Sequence, residues 1–137
     1  MASTIRRVEY YYATVQDRPG AAYSLLSSLA ESAVNLLAFS AVPSGAASAQ
    51  LTLFPEDGDA LIRAAASTGL TLAGPEHAIL VQGEDELGAL TDIRRKLFDA
   101  QLNLFNSTAA TNGAGRFGYL IYVRASRFED AARALGI

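Results

Sequence analysis

The sequence repeats itself. Slid along itself by 68 positions, the 137-residue chain lays Gly20 on Gly88 and needs no gap between Asp17–Phe54 and Asp85–Tyr122. Nine of those 38 positions are identical: Asp17, Gly20, Ala21, Leu29, Asn35, Leu36, Ala41, Gly45 and Ala46 recur as Asp85, Gly88, Ala89, Leu97, Asn103, Leu104, Ala109, Gly113 and Ala114. About three or four identities would arise by chance in so Ala- and Leu-rich a chain, which points to a duplication. After a one-residue deletion, Gly69-Leu70 falls on Gly136-Ile137. Whatever the chain folds into, each half has to be able to form it.

The halves read alike. Val8 to Val15 has the Tyr and Val content of a strand. Ala22, Leu25, Leu26, Leu29 and Ala33 follow at helical spacing. Leu36 to Val42 and Ala49 to Phe54 are strands joined by a turn at Ser44-Gly45. "EDGDALIRAAASTG" is a helix, capped by Asp57 or Asp59 and ended by Gly69. Leu70 to Ala73 is a short fourth strand closed by Gly74-Pro75. The second half gives a strand at 78–82, a helix with Leu90, Ile93, Leu97 and Ala100 on one face, strands at 104–110 and 117–123, and a helix over 126–135.

The order βαββαβ then βαββα implies an α+β chain of two ferredoxin-like repeats, residues 1–75 and 76–137, each an antiparallel sheet with its helices on one face. Right-handed crossovers give the strand order 4-1-3-2. The second repeat lacks its fourth strand, because the sequence stops at Ile137. That leaves 78–82 at a sheet edge. "HAILVQ" is apolar and carries no Lys or Pro to discourage pairing, so the expected remedy is a homodimer.

Composition excludes several functions. Half the residues are apolar, enough for a packed core, and the absence of cysteine removes disulfides, thiolate catalysis and cysteine metal sites. A net charge of −3 with scattered Lys and Arg argues against nucleic-acid binding. The start "MASTIRRVEYYY" is no signal peptide, and no apolar run approaches the roughly 20 residues that span a bilayer. A cytoplasmic protein is expected. The one histidine, His77, has no evident partners for acid–base work, and no Walker or dinucleotide-binding glycine pattern occurs. No enzyme activity, cofactor or metal is expected. Tyr10, Tyr11 and Tyr12 are consecutive, so they point to both faces of a sheet, one side core and the other a packing surface.

"VQDRPGAA" sets the local question. Asp17 can end the first strand and cap the helix, and Pro19 suits a first helical turn, whose N–H groups lack intrahelical partners. Gly20 permits close backbone approach. The amides of Gly20, Ala21 and Ala22, at the positive end of the helix dipole, could hold an anion such as a carboxylate. A turn followed by a cap explains the same residues without a ligand.

"VQDRPGAAYSLLSSLAESAVNLLAF" resembles the ACT-domain signature: a strand, a D/N-x-P-G-x-L loop, an amphipathic helix and an I/V-N-I/L start to the second strand. Asp17, Pro19, Gly20, Leu25, Leu29, Val34, Asn35 and Leu36 carry it. "GEDELGALTDIRRKLFDAQLNLFN" resembles it less closely, since Leu87 replaces the proline. "RFGYLIYV" is similar to the third strand of ACT domains in prephenate dehydratases. The resemblance spans roughly residues 8–137.

The resemblance implies a regulatory module that binds a small ligand, often an amino acid, at an interface between two ACT units. It implies contacts from Asp17, Pro19, Gly20, Ala21, Ala22, Asn35 and Leu36 in the first unit. In the second they would come from Asp85, Leu87, Gly88, Ala89, Leu90, Asn103 and Leu104. The loop of one unit would act with the second-strand start of another. The acidic run Glu84-Asp85-Glu86 would either solvate a turn or weaken anion binding there. An alternative reading is a ligand-free ACT-like interaction module that pairs chains and regulates a partner. In both readings the output passes to a separate effector protein.

Overall fold

The computed structural model describes residues 3–137. In chain order the elements are β1 (Ser3–Gln16), α1 (Ala21–Glu31), β2 (Leu36–Pro43), β3 (Ser48–Pro55), α2 (Gly58–Thr68), β4 (Ala73–Glu84), α3 (Ala89–Asp99), β5 (Asn106–Thr111), β6 (Arg116–Tyr122) and α4 (Phe128–Ala134), with a 3₁₀ turn at Ala125–Arg127. The class is α+β, and the hydrogen-bonded strand order is β2-β3-β1-β4-β6-β5. β3 pairs antiparallel with β1 and β2, and β6 does so with β4 and β5.

Packing divides the described residues into 9–76 and 77–137 together with 3–8. In the first unit Tyr11, Ala13, Leu51 and Leu53 from the strands pack on Leu25, Leu29, Leu61 and Ala64 from α1 and α2. Leu25 and Leu29 lie four residues apart and so share one face of α1. Leu29 is 2 % exposed, so Leu29→Ala costs about 2–5 kcal/mol. Tyr10 and Tyr12 leave the strand on the other face. Tyr10 lies 5.4 Å edge-on from Tyr12 and 5.0 Å from Phe54, so the three tyrosines divide between two faces.

In the second unit Ile79, Val81, Tyr119 and Ile121 pack on Ile93, Leu97, Phe128 and Ala131. Ile5 joins this core, Thr4 Oγ1 donates to the Gln82 carbonyl at 3.5 Å, and Gly83 leaves room for Ser3. Residues 3–8 thus occupy the place beside β4 that a fourth strand would take. The expected open edge at 78–82 is therefore not there: β4 lies between β1 and β6. The neighbour of β4 on that side is β1, from the other end of the described residues.

A second difference lies at Gly74-Pro75. The expected strand 70–73, turn and strand 78–82 are a single strand, β4, which runs through a cis Gly74-Pro75 bond. A Cβ at Gly74 would sit 3.0 Å from the Tyr10 carbonyl, so glycine lets β4 pass close to β1 where a turn was expected. Leu70 and Leu72 instead pack on the first core.

The offset of 68 holds bond by bond. Val34 N–H donates to the Leu29 carbonyl at 2.9 Å and Leu102 N–H to that of Leu97 at 3.0 Å, closing α1 and α3. Both closures put a non-glycine residue at positive φ, Ala33 at 60° and Gln101 at 58°. At an offset of 67, Leu70 N–H bonds Ala65 and Ile137 N–H bonds Ala132, through Gly69 and Gly136. These are the 6→1 bonds of helix ends closed by a left-handed residue.

Candidate functional site

The two strand-to-helix loops are built alike. Asp17 N–H donates to the Ala47 carbonyl at 2.9 Å, and Asp85 N–H to that of Gly115 at 2.8 Å. Arg18 N–H turns back on Gln16 and Glu86 N–H on Glu84, both at 3.0 Å. Gly20 and Gly88 then take φ of 88° and 84° at the helix N-caps. These positive angles favour glycine strongly over any L side chain.

Several local expectations are corrected. Asp17 does not cap α1: the N-cap is Gly20, without a side-chain bond. The left-handed turn at Gly20 separates the Asp17 carboxylate from the first-turn amides it was expected to meet. Pro19 precedes the helix, which starts at Ala21. The Ala21 amide donates to the Arg18 carbonyl at 3.3 Å and the Ala89 amide to that of Glu86 at 3.1 Å, so neither is open to an anion. The amides left at the helix heads are those of Ala22 and Tyr23 in α1, and of Leu90 and Thr91 in α3. Tyr23 and Thr91 were not singled out from sequence.

The second loop borders a cleft of about 340 Å³. Asp85, Glu86, Leu87, Gly88, Ala89 and Leu90 form one wall, with Thr91 at the helix head. Ala109, Ala110 and Thr111 of β5, with Phe117 of β6, form the other. These β5 and β6 residues were missed from sequence, since their approach to the loop depends on strand register. Leu87 is fully exposed and Leu90 39 % exposed, so the wall offers apolar surface beside two helix-head amides. Glu84, Asp85 and Glu86 make the rim acidic. At the first loop Arg18 offsets Asp17 and donates from Nε to Gln16 Oε1 at 2.8 Å.

The second-strand starts lie elsewhere. Asn35 donates through Nδ2 to Glu56 Oε2 at 3.3 Å, and its carbonyl accepts from the Glu56 amide at 2.9 Å. Leu36 pairs with Pro55, whereas the loop end of β1 pairs Gln16 with Ser48. Seven strand residues, roughly 23 Å, separate those ends. Asn103 and Leu104 precede β5 at the end where Asn106 pairs with Tyr122, again away from the loop. Leu36 and Leu104 pack against their cores. Within one unit, then, the loop residues come together and the Asn-Leu pairs do not join them.

His77 lies in β4 with its ring 5.6 Å from that of Phe128. Among the described residues no three His, Cys, Asp or Glu side chains are grouped to hold a metal, and no helix is long and apolar enough to cross a membrane.

No protein-family model matches the chain, and no curated protein does. Solved structures do match. Protein BT0572 from Bacteroides thetaiotaomicron superposes with a TM-score of 0.80 at 14% identity, over 96% of this chain and 88% of that one. The ligand-free regulatory subunit of aspartate kinase from Thermus thermophilus gives 0.64 at 17%, over 97% and 93%. The corresponding subunit from Thermus flavus gives 0.54 at 17%, over 98% and 95%. The chain has the ACT-type fold. The 85–91 cleft lies at the strand-to-helix loop between β4 and α3.

Proposed function

We propose that the chain is a non-catalytic regulatory module of two ACT units that binds a small carboxylate-bearing molecule, an amino acid. The cleft at residues 85–91 carries the reading. It pairs the Leu90 and Thr91 amides, suited to a carboxylate, with apolar surface suited to a side chain, and its acidic rim suits an ammonium group. The first loop has the same backbone and serves as a second, equivalent site. Duplicate units are supported by hydrogen bonds that recur at an offset of 68.

In this reading Asn35-Leu36 and Asn103-Leu104 complete a site only from a different unit or a second copy of the chain, since they lie far from the loop of their own unit. A two-fold homodimer in the cytoplasm, signalling to an effector protein, follows. A thermal-shift screen against the twenty amino acids tests it, because a ligand that binds only the folded state must raise Tm. The response should fall in Gly88→Val, whose side chain would be strained at positive φ and would obstruct the cleft, and should vanish when Gly20→Val is added. No response to any of the twenty would leave the ligand-free interaction module as the better reading.

A further inference from the structure

Gly118 lies inside β6, and neither of the usual reasons for a strand glycine applies to it. Its φ lies outside the positive range, and a Cβ built on it meets nothing within 4 Å. Gly83, on the neighbouring strand, does have a reason: its Cβ would fall 2.6 Å from that of Ser3. A strand glycine gives up backbone entropy and packing, and often marks a place where a ligand or another backbone comes close.

The surroundings of Gly118 suit a ligand. Phe117, Tyr119 and Ile121 point into the helix-covered core, so Arg116 and Gly118 face the opposite side of the sheet. Gln82 and Ala110 flank Gly118 in register. With Thr4, Asn112 and Arg116 they line a depression of about 390 Å³. Among the described residues the Arg116 side chain makes no ion pair or hydrogen bond, not even with Glu84, its register partner. Asn112 Oδ1 already accepts from the amides of Ala114 and Arg116, which leaves its NH₂ to donate outward. The corresponding positions of the other half are differently furnished. Gln50 stands where Gly118 is, Ser48 where Arg116 is and Val42 where Ala110 is.

We infer that this face is a second binding site, for a small anion bearing a carboxylate or a phosphate. Arg116 presents the planar fork that pairs with either group. Gln82, Asn112 and Thr4 supply neutral hydrogen-bonding groups, and the space over Gly118 admits the body of the ligand. The depression meets the loop cleft at Ala110, Thr111 and Phe117, but Arg116, Gln82 and Gly118 line only the former.

The test is a titration of the ¹⁵N-labelled chain with inorganic phosphate and, separately, with succinate. Saturable shifts of the Gly118 and Gln82 amides are expected with one or both, and which probe acts distinguishes phosphate from carboxylate recognition. Binding should weaken about tenfold or more in Arg116→Gln, which removes a charge-assisted pair, and in Gly118→Val, which fills the depression. Gly118→Ala, whose methyl meets no neighbour, controls for folding. Unmoved Gly118 under both probes, or shifts that survive Arg116→Gln, would overturn the proposal. So would Gly118 shifts that follow protein concentration without added anion, which would assign the face to a second copy of the chain. Amino-acid binding at residues 88–91 is read from different amides, so either site can fail without the other.

Discussion

Arg7 donates to the Glu129 carboxylate at 2.8 Å across 122 residues of sequence. The same guanidinium donates to the Ile137 carbonyl at 3.3 Å and lies 5.8 Å from the Phe128 ring centre. The start of β1 is thereby tied to the last helix.

That tie is a small part of what holds residues 3–8. The Arg7 and Glu129 side chains are 44% and 68% exposed, so Arg7→Ala should cost no more than about 1 kcal/mol. Removing residues 1–8 deprives β4 of a hydrogen-bonded neighbour and the core of Ile5. Amide exchange should then rise sharply at 79–84 while 49–54 stay protected. Unchanged protection at 79–84 would contradict the strand assignment.

The glycines divide by backbone conformation. Gly20→Ala and Gly88→Ala force an alanine to φ near 88° and 84° and should each destabilise by about 1 kcal/mol in urea unfolding. Gly118→Ala meets neither strain nor a neighbour and should stabilise by roughly 0.5 kcal/mol. Equal effects at the three positions would refute the distinction.

Asp57 caps α2, its Oδ1 accepting from the amides of Asp59 at 3.0 Å and Ala60 at 3.4 Å. Asp57→Ala should cost about 1 kcal/mol, and Asp57→Asn, whose amide oxygen can accept the same bonds, should keep most of the stability. A matching loss in Asp57→Asn would show that charge rather than capping matters.

The Asp130 carboxyl is held below its ordinary 3.8 by hydrogen bonds from Arg127 and Arg133. A depressed carboxyl pKa stabilises the fold above the ordinary value, and that contribution fades as pH falls through the folded-state pKa. Carbon-detected NMR titration should find Asp130 titrating low in the native chain and near 3.8 when both arginines are replaced by Gln.

Sequence showed what depends on local pattern. α1 and α3 were legible because Leu25/Leu29 and Ile93/Leu97 repeat at helical spacing. Their ends were not, because Ala33 and Gln101 adopt positive φ with no glycine to signal it. Residues 3–7 gave no strand signal, since most of them are exposed and only Ile5 reaches a core. At the candidate site the loops were legible through Gly20 and Gly88. The opposite wall, Ala109 to Thr111 and Phe117, was not, because its approach depends on pairing between distant segments.

The split of β1 also bears on the order in which the chain can fold. Residues 9–76 are contiguous and can close their contacts as soon as they are made. The other unit needs residues 3–8 and the stretch from 77 to 137, so its closing contacts span more than a hundred residues. Contacts of such sequence separation carry a loop-closure cost and form late. On a ribosome that makes chain from the N-terminus, residues 3–8 are synthesised before the stretch they pack on and must wait for it to find their place.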